Sequence, residues 1–561
     1  MITMQSRRFL KGVGNYRVSL AVVAVCAGAF PLGAAEVLQD SSGNSPDKVY
    51  VSSSGSNTSP YDTWEKAAHN IKDAIDAVNG ENADAPGIVY LAPGTYTASS
   101  GCSADGNYLV SVEKSVRLVG TGDKPDETVL DGEGARRVLS LTGEGAGAQN
   151  IMIARSHPFS PAIGSELGFG LNMVNAGIVD NCIISNASVS LSANAVLEHW
   201  VYLNGGTITN SVISDGNVTH SSRCRKAGGT ILVVKGSIGS TKIYRNTSCN
   251  QNGGVVTVKG ADSSLVDCDI YNNKDSMREW GVCCGIVAAR RSAQIINCRI
   301  FNNDIGRHYT SCYYAALGVN AASIESPNGN QYYTFNSSYG GVLIDRCVIS
   351  NNTAKIADLA KPSNGIKVGA LGVLLGYKTT LRNSLIVNNK LTPFNSTMSY
   401  DYPISGGVRS SDTAANSTDS IIENCTIVGN QSVGKPSESG VHLLAGSIIN
   451  SIVCDNGAQR PKASWIDGNI SLANDATATY CLTKGKDEVG EAVAGEGNIA
   501  GDPLLNADYT LSRTSPAVNA GLNQDWMKGE TDLSGKKRIS GGKVDLGCYE
   551  RFMQGFSISI R

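Results

Sequence analysis

The sequence is poor in aromatic residues and in net charge. Only 6% of its 561 residues are Phe, Trp or Tyr, and its formal net charge is −2. A balanced charge excludes the basic footprint of nucleic-acid binding, so no DNA or RNA partner is expected. Beyond residue 35, no apolar run is long enough to cross a bilayer, and no membrane span is expected in the mature chain.

Residues 1–35 have the order of an export signal. The cations before its apolar run are Arg7, Arg8, Lys11 and Arg17. The run covers residues 18–30, and the small residues at 33–35 precede Glu36. A short membrane anchor is the alternative, although the run is too short to span. The general secretory and twin-arginine routes both stay open, and the mature protein is expected outside the cell or at its surface.

One short phrase recurs through the middle of the chain. It reads I-V-D-N-C-I-I-S-N at 178–186, I-I-N-C-R-I-F-N-N at 295–303 and I-I-E-N-C-T-I-V-G-N at 421–430. Its small residue, here called the mark, falls at Cys182, Ser211, Thr241, Cys268, Cys298, Cys347, Ser384, Cys425 and Ser451. Five of the eight intervals are 26 to 30 residues, and the longer ones contain insertions at 305–340, 353–365 and 390–418. Such a period predicts a solenoid.

The phrase alternates with period two, which predicts a strand with the mark on its inward face. The fifth residue past the mark is Asn in seven of the nine copies: Asn246, Asn273, Asn303, Asn352, Asn389, Asn430 and Asn456. Asn tolerates a left-handed backbone, and stacked amides hydrogen-bond to one another. We therefore expect a parallel β-helix that turns a corner at this Asn, with the Asn itself at positive φ.

On these repeats, residues 110–470 resemble the pectate-lyase-like right-handed parallel β-helix superfamily. The resemblance implies an all-β fold, with a β-helix over 111–470 and a linker and amino-terminal strand–helix–strand cap over 36–110. Helical spacing of Trp64, Ala67, Ile71, Ala74, Ile75 and Val78 predicts the helix of the cap. Lyases, hydrolases and non-enzymatic surface proteins share this architecture. The N-T-D, G-H-G and R-I-K blocks of the hydrolases and the W-x-D-H and R-x-P-x-x-R blocks of the pectate lyases are absent.

Past the last repeat, residues 471–550 form a separate module, followed by a tail at 551–561. The segments D-P-L-L at 502–505, S-P-A-V-N-A-G at 515–521 and V-D-L-G-C-Y-E at 544–550 resemble the carboxy-terminal module of choice-of-anchor Q domain proteins. That resemblance implies an exported bacterial protein, attached to the cell surface by means the sequence does not specify. It implies no reaction.

The cysteines divide into two groups. Cys182, Cys268, Cys298, Cys347 and Cys425 take the mark position that Ser or Thr fills elsewhere, so we expect reduced, inward-facing side chains. The disulfide candidates lie off that column: Cys224, Cys249, Cys283, Cys284 and Cys312. No C-x-x-C spacing points to zinc. Asp267 and Asp269 offer oxygen ligands for calcium, but two carboxylates are too few to assign a site, so no metal or cofactor is assigned.

Four cations follow Gly-led strands, each six to nine residues before a mark: Lys235, Lys259, Arg290 and Lys378. We expect them to line one edge of the rod and to bind an acidic polysaccharide. The alternative is that they solubilise turns and pair with acids. A second column, Lys242, Asp269 and Arg299, alternates in sign and predicts a surface charge ladder of small energetic value.

The insertion at 305–340 contains the catalytic candidates Arg307 and His308 and the sugar-stacking candidates Tyr309 and Tyr313. A lone His on a loop is more often exposed and idle.

The expected function is therefore an exported β-helix protein that binds acidic polysaccharide or a cell-surface glycan, as a monomer. Whether it also degrades that glycan, as a lyase or a hydrolase, stays open. The alternative is a non-enzymatic adhesin or structural protein.

Overall fold

The computed structural model describes the residues 46–80, 82–98, 108–158, 167–191, 198–220, 230–248, 254–275, 285–308, 315–319, 341–356, 369–393, 404–410, 419–432, 440–458, 466–467, 469–484 and 493–551. They contain one α-helix, Ile71–Ala77, and two short 3₁₀ helices, Pro125–Glu127 and Asp525–Met527. Among them, no helix has the length and apolar character needed to cross a membrane. Almost every other element is a strand.

The strands fall into four sets, a to d, in the order in which each coil visits them. The a-strands are Tyr108–Val112, Arg137–Leu141, Leu167–Val174, Val256–Lys259, Val287–Arg290, Leu317–Val319, Val373–Leu375, Val408–Ser410, Val441–Leu443 and Ile470–Leu472. The b-strands are Lys48–Val51, Gly87–Leu91, Val116–Gly120, Gly147–Gln149, Ile178–Asp180, Ser263–Val266, Gln294–Ile296, Leu343–Asp345, Thr380–Arg382, Ile421–Glu423, Ser447–Ile449 and Thr477–Thr479. Two long strands, Glu198–Thr209 and Ile231–Gly239, contain both an a and a b segment.

The remaining sets complete each coil. The c-strands are Gly94–Tyr96, Thr128–Asp131, Met152–Ala154, Ile183–Ser185, Val212–Ser214, Lys242–Tyr244, Asp269–Tyr271, Arg299–Phe301, Val348–Ser350, Leu385–Val387, Thr426–Val428, Ile452–Cys454, Leu482–Lys484 and Ile499–Ala500. The d-strands are Ser188–Leu191, Asn217–His220, Thr247–Ser248, Lys274–Asp275, Asp304–His308, Thr353–Ile356, Lys390–Pro393, Gln431–Ser432, Gly457–Ala458 and Ile466–Asp467. A separate pair, Gly369–Ala370 and Ile404–Ser405, lies beside them.

Strands of the same set pair in parallel from coil to coil. Lys242, Asp269 and Arg299, for example, are direct partners in three successive c-strands. Among the described strands, only the last d pair, Gly457–Ala458 with Ile466–Asp467, is antiparallel. With about 4.8 Å between strands, the 14 stacked c-strands span roughly 60 Å. The predicted right-handed parallel β-helix is confirmed.

The core is built from stacked columns of aliphatic side chains. From Ile183–Ser185 to Ile452–Cys454 the central residue of each c-strand points inward, and the column is almost uniform: Ile184, Ile213, Ile243, Ile270, Ile300, Ile349, Ile386, Ile427 and Val453 are all fully buried. Each such side chain contributes about 1.5–3 kcal/mol by leaving water. In the period-two sequence pattern that predicted these strands, the apolar residues therefore face this core and the residues between them face outward.

The mark residues line the next inward column, as predicted. The five mark cysteines are buried free thiols, and Ser384 and Ser451 are fully buried in equivalent places. Burial raises the pKa of the Cys182 and Cys347 thiols to about 12, so these thiols are unreactive in the folded protein. The off-column cysteines Cys224, Cys249, Cys283, Cys284 and Cys312 lie outside the described residues.

A ladder of asparagine side chains runs beside the core, at the corner between c- and d-strands. Each Nδ2 donates to the Oδ1 of the Asn one coil further on, at 2.9–3.1 Å. The members are Asn246, Asn273, Asn303, Asn352, Asn389, Asn430, Asn456 and Asn469. The same Oδ1 atoms accept a backbone N–H, and from Asn246 to Asn456 each Nδ2 also donates to a carbonyl of the preceding coil, as in Asn303 to Ile270. The expected amide ladder is confirmed.

The expected positive φ of these asparagines is wrong. The left-handed residue is the one before the ladder, as in Asn272, Asn302, Asn351 and Asn388, with φ between 53° and 56°. A second left-handed residue precedes the mark, for example Asn297 or Asn424. The corner therefore uses two adjacent asparagines, one for backbone conformation and one for buried hydrogen bonds. Sequence spacing alone did not separate these two roles.

The glycines that lead the a-strands are required by close packing. A Cβ on Gly407 would lie 2.4 Å from the Gly440 carbonyl oxygen and 3.0 Å from a methyl of Ile427. A Cβ on Gly440 would lie 2.9 Å from the Asn456 Nδ2. These glycines let the a-strand approach the isoleucine column and the asparagine ladder.

The amino-terminal cap has the predicted strand–helix–strand order, Lys48–Val51, Ile71–Ala77 and Gly87–Leu91. Its helix is shorter than the spacing from Trp64 predicted. Asn70 caps it by accepting the Lys72 N–H, and Trp64 lies outside it with 40% of its surface exposed. Asn is a strong N-cap, which explains why the helix begins only after residue 70.

The stacked strands continue through Ile499–Ala500, beyond the residue 471 at which the separate module was expected to begin. Residues 502–551, here called the C-terminal module, pack on the outer face of the c-strands. Leu511, Ala517 and Leu546 contact Ile452, Cys454 and Leu482, while Cys548 packs against Leu385 and Val387. These c-strand side chains point outward, yet they are buried. The module therefore turns one face of the β-helix into a second core.

Buried charges hold the C-terminal module together. Asp532 and Asp545 accept backbone N–H groups across the module, including those of Glu550 and Arg551. The fully buried Arg538 donates to the carbonyls of Asp545 and Gly547 and lies 3.2 Å from the Glu550 carboxylate. The buried carboxylates Asp532, Asp545 and Glu550 are thus internal hydrogen-bonding centres of the module and are not available to a ligand.

Candidate functional surfaces

Three of the four predicted cations lie together at the corner between a- and b-strands. Lys259 and Arg290 are direct partners in neighbouring a-strands. Lys235 is in the preceding coil, where its strand shifts register and pairs it with Asn204. Lys235 is exposed, and Lys259 and Arg290 are half-buried. We call these three residues the basic edge.

Lys378 does not belong to the basic edge. It lies in the turn between an a- and a b-strand with φ 54°, and its Nζ lies 5.0 Å from the ring centroid of Tyr377. Register explains the difference: Val319 lies opposite Ala289 and Leu317 opposite Val373, so the Arg290 position corresponds to residue 376, which is Gly. The expectation that Lys378 continues the column is corrected accordingly.

The environment of the basic edge is mixed. Lys259 and Arg290 have further interactions within the chain, and the exposed Asp262 lies in the turn after Lys259. Beside the edge, the outer side of the b-strands carries small polar side chains, with Thr207 and Ser237 in hydrogen-bonding contact at 3.2 Å. The surface next to the cations is therefore open and polar.

The catalytic candidates lie in a strand. Arg307 and His308 belong to the d-strand Asp304–His308, where they pair with Lys355 and Ile356. The expectation that both lie on an inserted loop is therefore wrong; the long interval before Cys347 also contains a further a-strand, Leu317–Val319. Tyr309 and Tyr313 lie outside the described residues.

The predicted charge ladder is confirmed. The Arg299 guanidinium donates two hydrogen bonds to the Asp269 carboxylate, and Lys242 is the register partner of Asp269 on the other side. Asp267 accepts a hydrogen bond of 2.5 Å from Asn297. The calcium candidates Asp267 and Asp269 thus contact Asn297 and Arg299, and no group of three metal-ligating side chains occurs within the part of the chain that the structure describes.

An aromatic stack accompanies this charge ladder. Tyr244, Tyr271 and Phe301 lie one coil apart, with ring centroids 5.0 Å from their neighbours and planes inclined by 14° and 10°. Arg245 covers the outer face of Tyr244 at 4.6 Å and pairs with Asp215, which lowers the pKa of that carboxyl. Because the rings occupy each other's faces, the stack is a structural feature and offers little face for sugar stacking.

A charged column on the outer side of the b-strands was not predicted. Asp345, Arg382 and Glu423 are register partners in three successive coils, and all three are largely buried under the C-terminal module. The signal was present in the sequence, because three consecutive copies of the phrase carry a charge two residues before the mark. The sequence did not show that Arg382 lies between the two acids Asp345 and Glu423 in neighbouring coils, because this depends on the register of the strands.

A second unpredicted column lies on the outer side of the a-strands. Arg409, His442 and Ser471 are register partners, and the His442 Nδ1 lies 3.0 Å from the Ser471 Oγ. Arg409 and His442 are almost fully buried. A serine and a histidine in contact are two parts of a nucleophilic site, but a third group that orients the histidine is also needed.

No protein-family model and no curated protein matches the sequence. Among solved structures, pectate lyase Pel9A is 14% identical, covers 91% of this chain and 98% of its own, and has a TM-score of 0.33. The AlgE6 A-module, a mannuronan C-5 epimerase of Azotobacter vinelandii, is 14% identical over 74% of this chain and 98% of its own, with a TM-score of 0.31. PfbA, a surface adhesin of Streptococcus pneumoniae, is 12% identical over 73% and 87%, with a TM-score of 0.28. These likenesses carry no argument about activity, ligand or partner.

Proposed function

We propose that this protein is exported and binds an acidic polysaccharide along the basic edge. The observation that carries the proposal is the placement of Lys235, Lys259 and Arg290 in three successive coils at one corner of the β-helix. Coils repeat at about 4.8 Å, so cations at this corner face a linear polyanion at regular intervals. Lys235 is exposed and Lys259 and Arg290 are half-buried, and cations that reach the surface at such spacing attract carboxylate or sulfate groups without a closed pocket.

Export and surface attachment belong to the same proposal. They rest on the composition of residues 1–35, which lie outside the described part of the chain, and on the resemblance of residues 502–550 to the choice-of-anchor Q module. Sequencing the amino terminus of the secreted protein tests the first. An intact residue 1 in the mature protein would contradict it.

Binding is tested with a triple variant, Lys235→Gln, Lys259→Gln and Arg290→Gln, on polygalacturonate and on a neutral glucan. The native protein is expected to bind the polyuronate alone, and more weakly as salt shortens the screening length to about 8 Å at physiological ionic strength. The variant is expected to lose at least tenfold in affinity, which corresponds to about 1.4 kcal/mol.

A matched control removes three cations elsewhere on the surface: Lys66→Gln, Lys72→Gln and Lys528→Gln. Each of these lysines forms an ion pair with an aspartate three or four residues away in the sequence. The control therefore changes the net charge by the same amount and leaves the basic edge intact. Retained binding in the control and lost binding in the first variant supports the proposal. Equal loss in both shows attraction by net charge only, and no binding by the native protein favours the structural or adhesive alternative.

The polysaccharide samples from the binding test also show whether the protein degrades the polysaccharide. Unsaturated products, seen by their ultraviolet absorbance, would identify a lyase, and reducing ends without unsaturation would identify a hydrolase. Arg307→Ala and His308→Ala then decide whether the predicted catalytic pair is involved. Unchanged turnover in both variants would remove them from the active site.

A further inference from the structure

The C-terminal module contacts the β-helix through a cluster of charges that we call the clasp. Its β-helix members are Asp345, Arg346, Arg382 and Glu423, and its module members are Gln524, Trp526 and Glu530. Asp345, Arg382 and Glu423 follow one another through three coils. The module residues come from the 3₁₀ turn Asp525–Met527 and the residues beside it.

Arg382 is held from two sides. Its guanidinium lies 4.6 Å from the ring centroid of Trp526, and its Nε lies 3.4 Å from an oxygen of Asp345. Only 16% of the Arg382 side chain is exposed. Removing the module would uncover both the arginine and its neighbour Glu423.

The charges of the clasp balance without Glu423. Arg346 lies 2.9 Å from Asp345 and 3.7 Å from Glu530, and Arg382 shares Asp345. Two arginines therefore face two carboxylates, and an ionised Glu423 would be the surplus negative charge. Glu423 is 5% exposed, so its ionised form would lose most of its hydration on docking.

From this geometry we propose that the C-terminal module docks through a proton-dependent clasp: it is held while Glu423 is protonated and loosens when Glu423 is ionised. Burial, with a smaller contribution from Asp345, raises the pKa of Glu423 to about 7, against the opposing effects of Arg382, Trp526 and Gln524. A carboxyl whose pKa is raised in the docked state favours docking at low pH, and this contribution is lost as pH rises towards 7. The module is therefore expected to be tight near pH 5 and looser above pH 7.

The remaining contacts predict loosening at one end and not release. Asn450 exchanges two hydrogen bonds with Leu522, at 2.8 and 2.9 Å. Thr426 accepts the Cys548 N–H, and the apolar contacts with Ile452 and Leu385 carry no charge. The pH dependence that Glu423 confers is therefore expected at the segment around Trp526. Glu550, whose pKa burial raises to about 8, lies beside Arg538 inside the module and makes a separate contribution there.

Hydrogen exchange of module peptides tests the proposal, with rates corrected for the intrinsic pH dependence of amide exchange. In the native protein, protection of the segment 522–530 is expected to fall at least tenfold between pH 5.5 and pH 8.5, because docking weakens about tenfold for each pH unit up to the raised Glu423 pKa of about 7 and then levels off. Glu423→Gln, which keeps the shape and removes the charge, is expected to give constant protection across that range. Glu113→Gln, which changes an exposed acid in the turn after the a-strand Tyr108–Val112, serves as the control and should behave as the native protein.

A second variant keeps the proposal testable if Glu423→Gln itself prevents docking. Asp345→Asn removes a negative charge beside Glu423, so ionisation of Glu423 becomes easier and the loss of protection should occur at lower pH. A native module whose protection does not change with pH overturns the proposal. The same holds if Glu423→Gln keeps the native pH dependence, or if Asp345→Asn moves the change to higher pH.

Discussion

At the scale of the residue, paired asparagines make four successive corners between c- and d-strands, at residues 272–273, 302–303, 351–352 and 388–389. Asn302 supplies the left-handed backbone and points to solvent, while Asn303 is 1% exposed and joins the ladder. An amide is suited to the ladder because it donates and accepts at once, so every coil can satisfy its neighbour. Two adjacent asparagines recur because one sets the backbone conformation of the corner and the other makes the buried hydrogen bonds.

Replacing Asn303 by Val tests the ladder. The change removes the acceptor of the Asn273 N–H and side chain and the donor to Asn352 and Ile270. Leaving buried partners unsatisfied is expected to lower the free energy of unfolding by about 1–3 kcal/mol. The measurement is the midpoint of chemical denaturation, read with an unchanged m-value.

Asn302→Gly is the matched control next to that site. Glycine adopts positive φ without steric cost, and the Asn302 side chain is exposed, so a change within about 0.5 kcal/mol is expected. If Asn302→Gly destabilises as much as Asn303→Val, the ladder bonds are not the source of the effect.

At the scale of the element, stacking in register converts repeated positions into continuous columns. The same outward column of the c-strands holds Ile183, Val212, Lys242, Asp269 and Arg299 in turn. Because each residue meets only its neighbours above and below, a column can change character from apolar to charged within one coil. Side-chain pairs between neighbouring strands thus decide local stability.

The aromatic stack gives a prediction at this scale. Tyr271 stacks on both Tyr244 and Phe301, so Tyr271→Ala removes two aromatic pairs at about 0.5–1.5 kcal/mol each, besides the buried area. Arg299→Gln removes an ion pair whose arginine side chain is 60% exposed, and such pairs contribute less than about 1 kcal/mol. In thermal unfolding, Tyr271→Ala should therefore have a clearly lower midpoint temperature than Arg299→Gln. A larger effect of Arg299→Gln would show that the charge ladder, and not the stack, stabilises this face.

At the scale of the whole molecule, the C-terminal module covers the outer face of the last coils. Leu385, Val387, Ile452, Cys454 and Leu482 have outward positions and are at most 5% exposed. A chain that ends at Ala500 would expose this apolar face, and large exposed apolar patches promote association. We expect the shortened chain to self-associate in size-exclusion chromatography with light scattering, whereas the full chain is expected to be a monomer.

A rescue distinguishes this cause from general unfolding. Adding Leu385→Lys and Ile452→Lys to the shortened chain should restore a monomer with the circular dichroism of a β-helix. Continued aggregation of that variant would mean that the module is needed for the coils themselves to fold.

Local periodicity in the sequence determined the architecture of this protein. The structure encoded by the alternation around each mark residue, by the repeat interval and by the recurring asparagines depends only on contacts between near neighbours in sequence or between equivalent positions of successive coils. For that reason the strands, the inward cysteines, the charge ladder and the cap order followed from the sequence. The same periodicity placed Lys235, Lys259 and Arg290 at one corner.

Only the tertiary structure decided what depends on exact register or on contacts between distant segments. A shift of one residue separates Asn302 from Asn303, a small difference in register moves Lys378 out of the basic edge, and spacing in the sequence does not resolve such shifts. Glu423 and Trp526 lie 103 residues apart in sequence (526 − 423 = 103), and they meet because the C-terminal module folds back along the c-strands. The burial of Glu423 comes from that docking, and its raised pKa follows because desolvation depends on everything that surrounds a group in space and not on its neighbours in the chain.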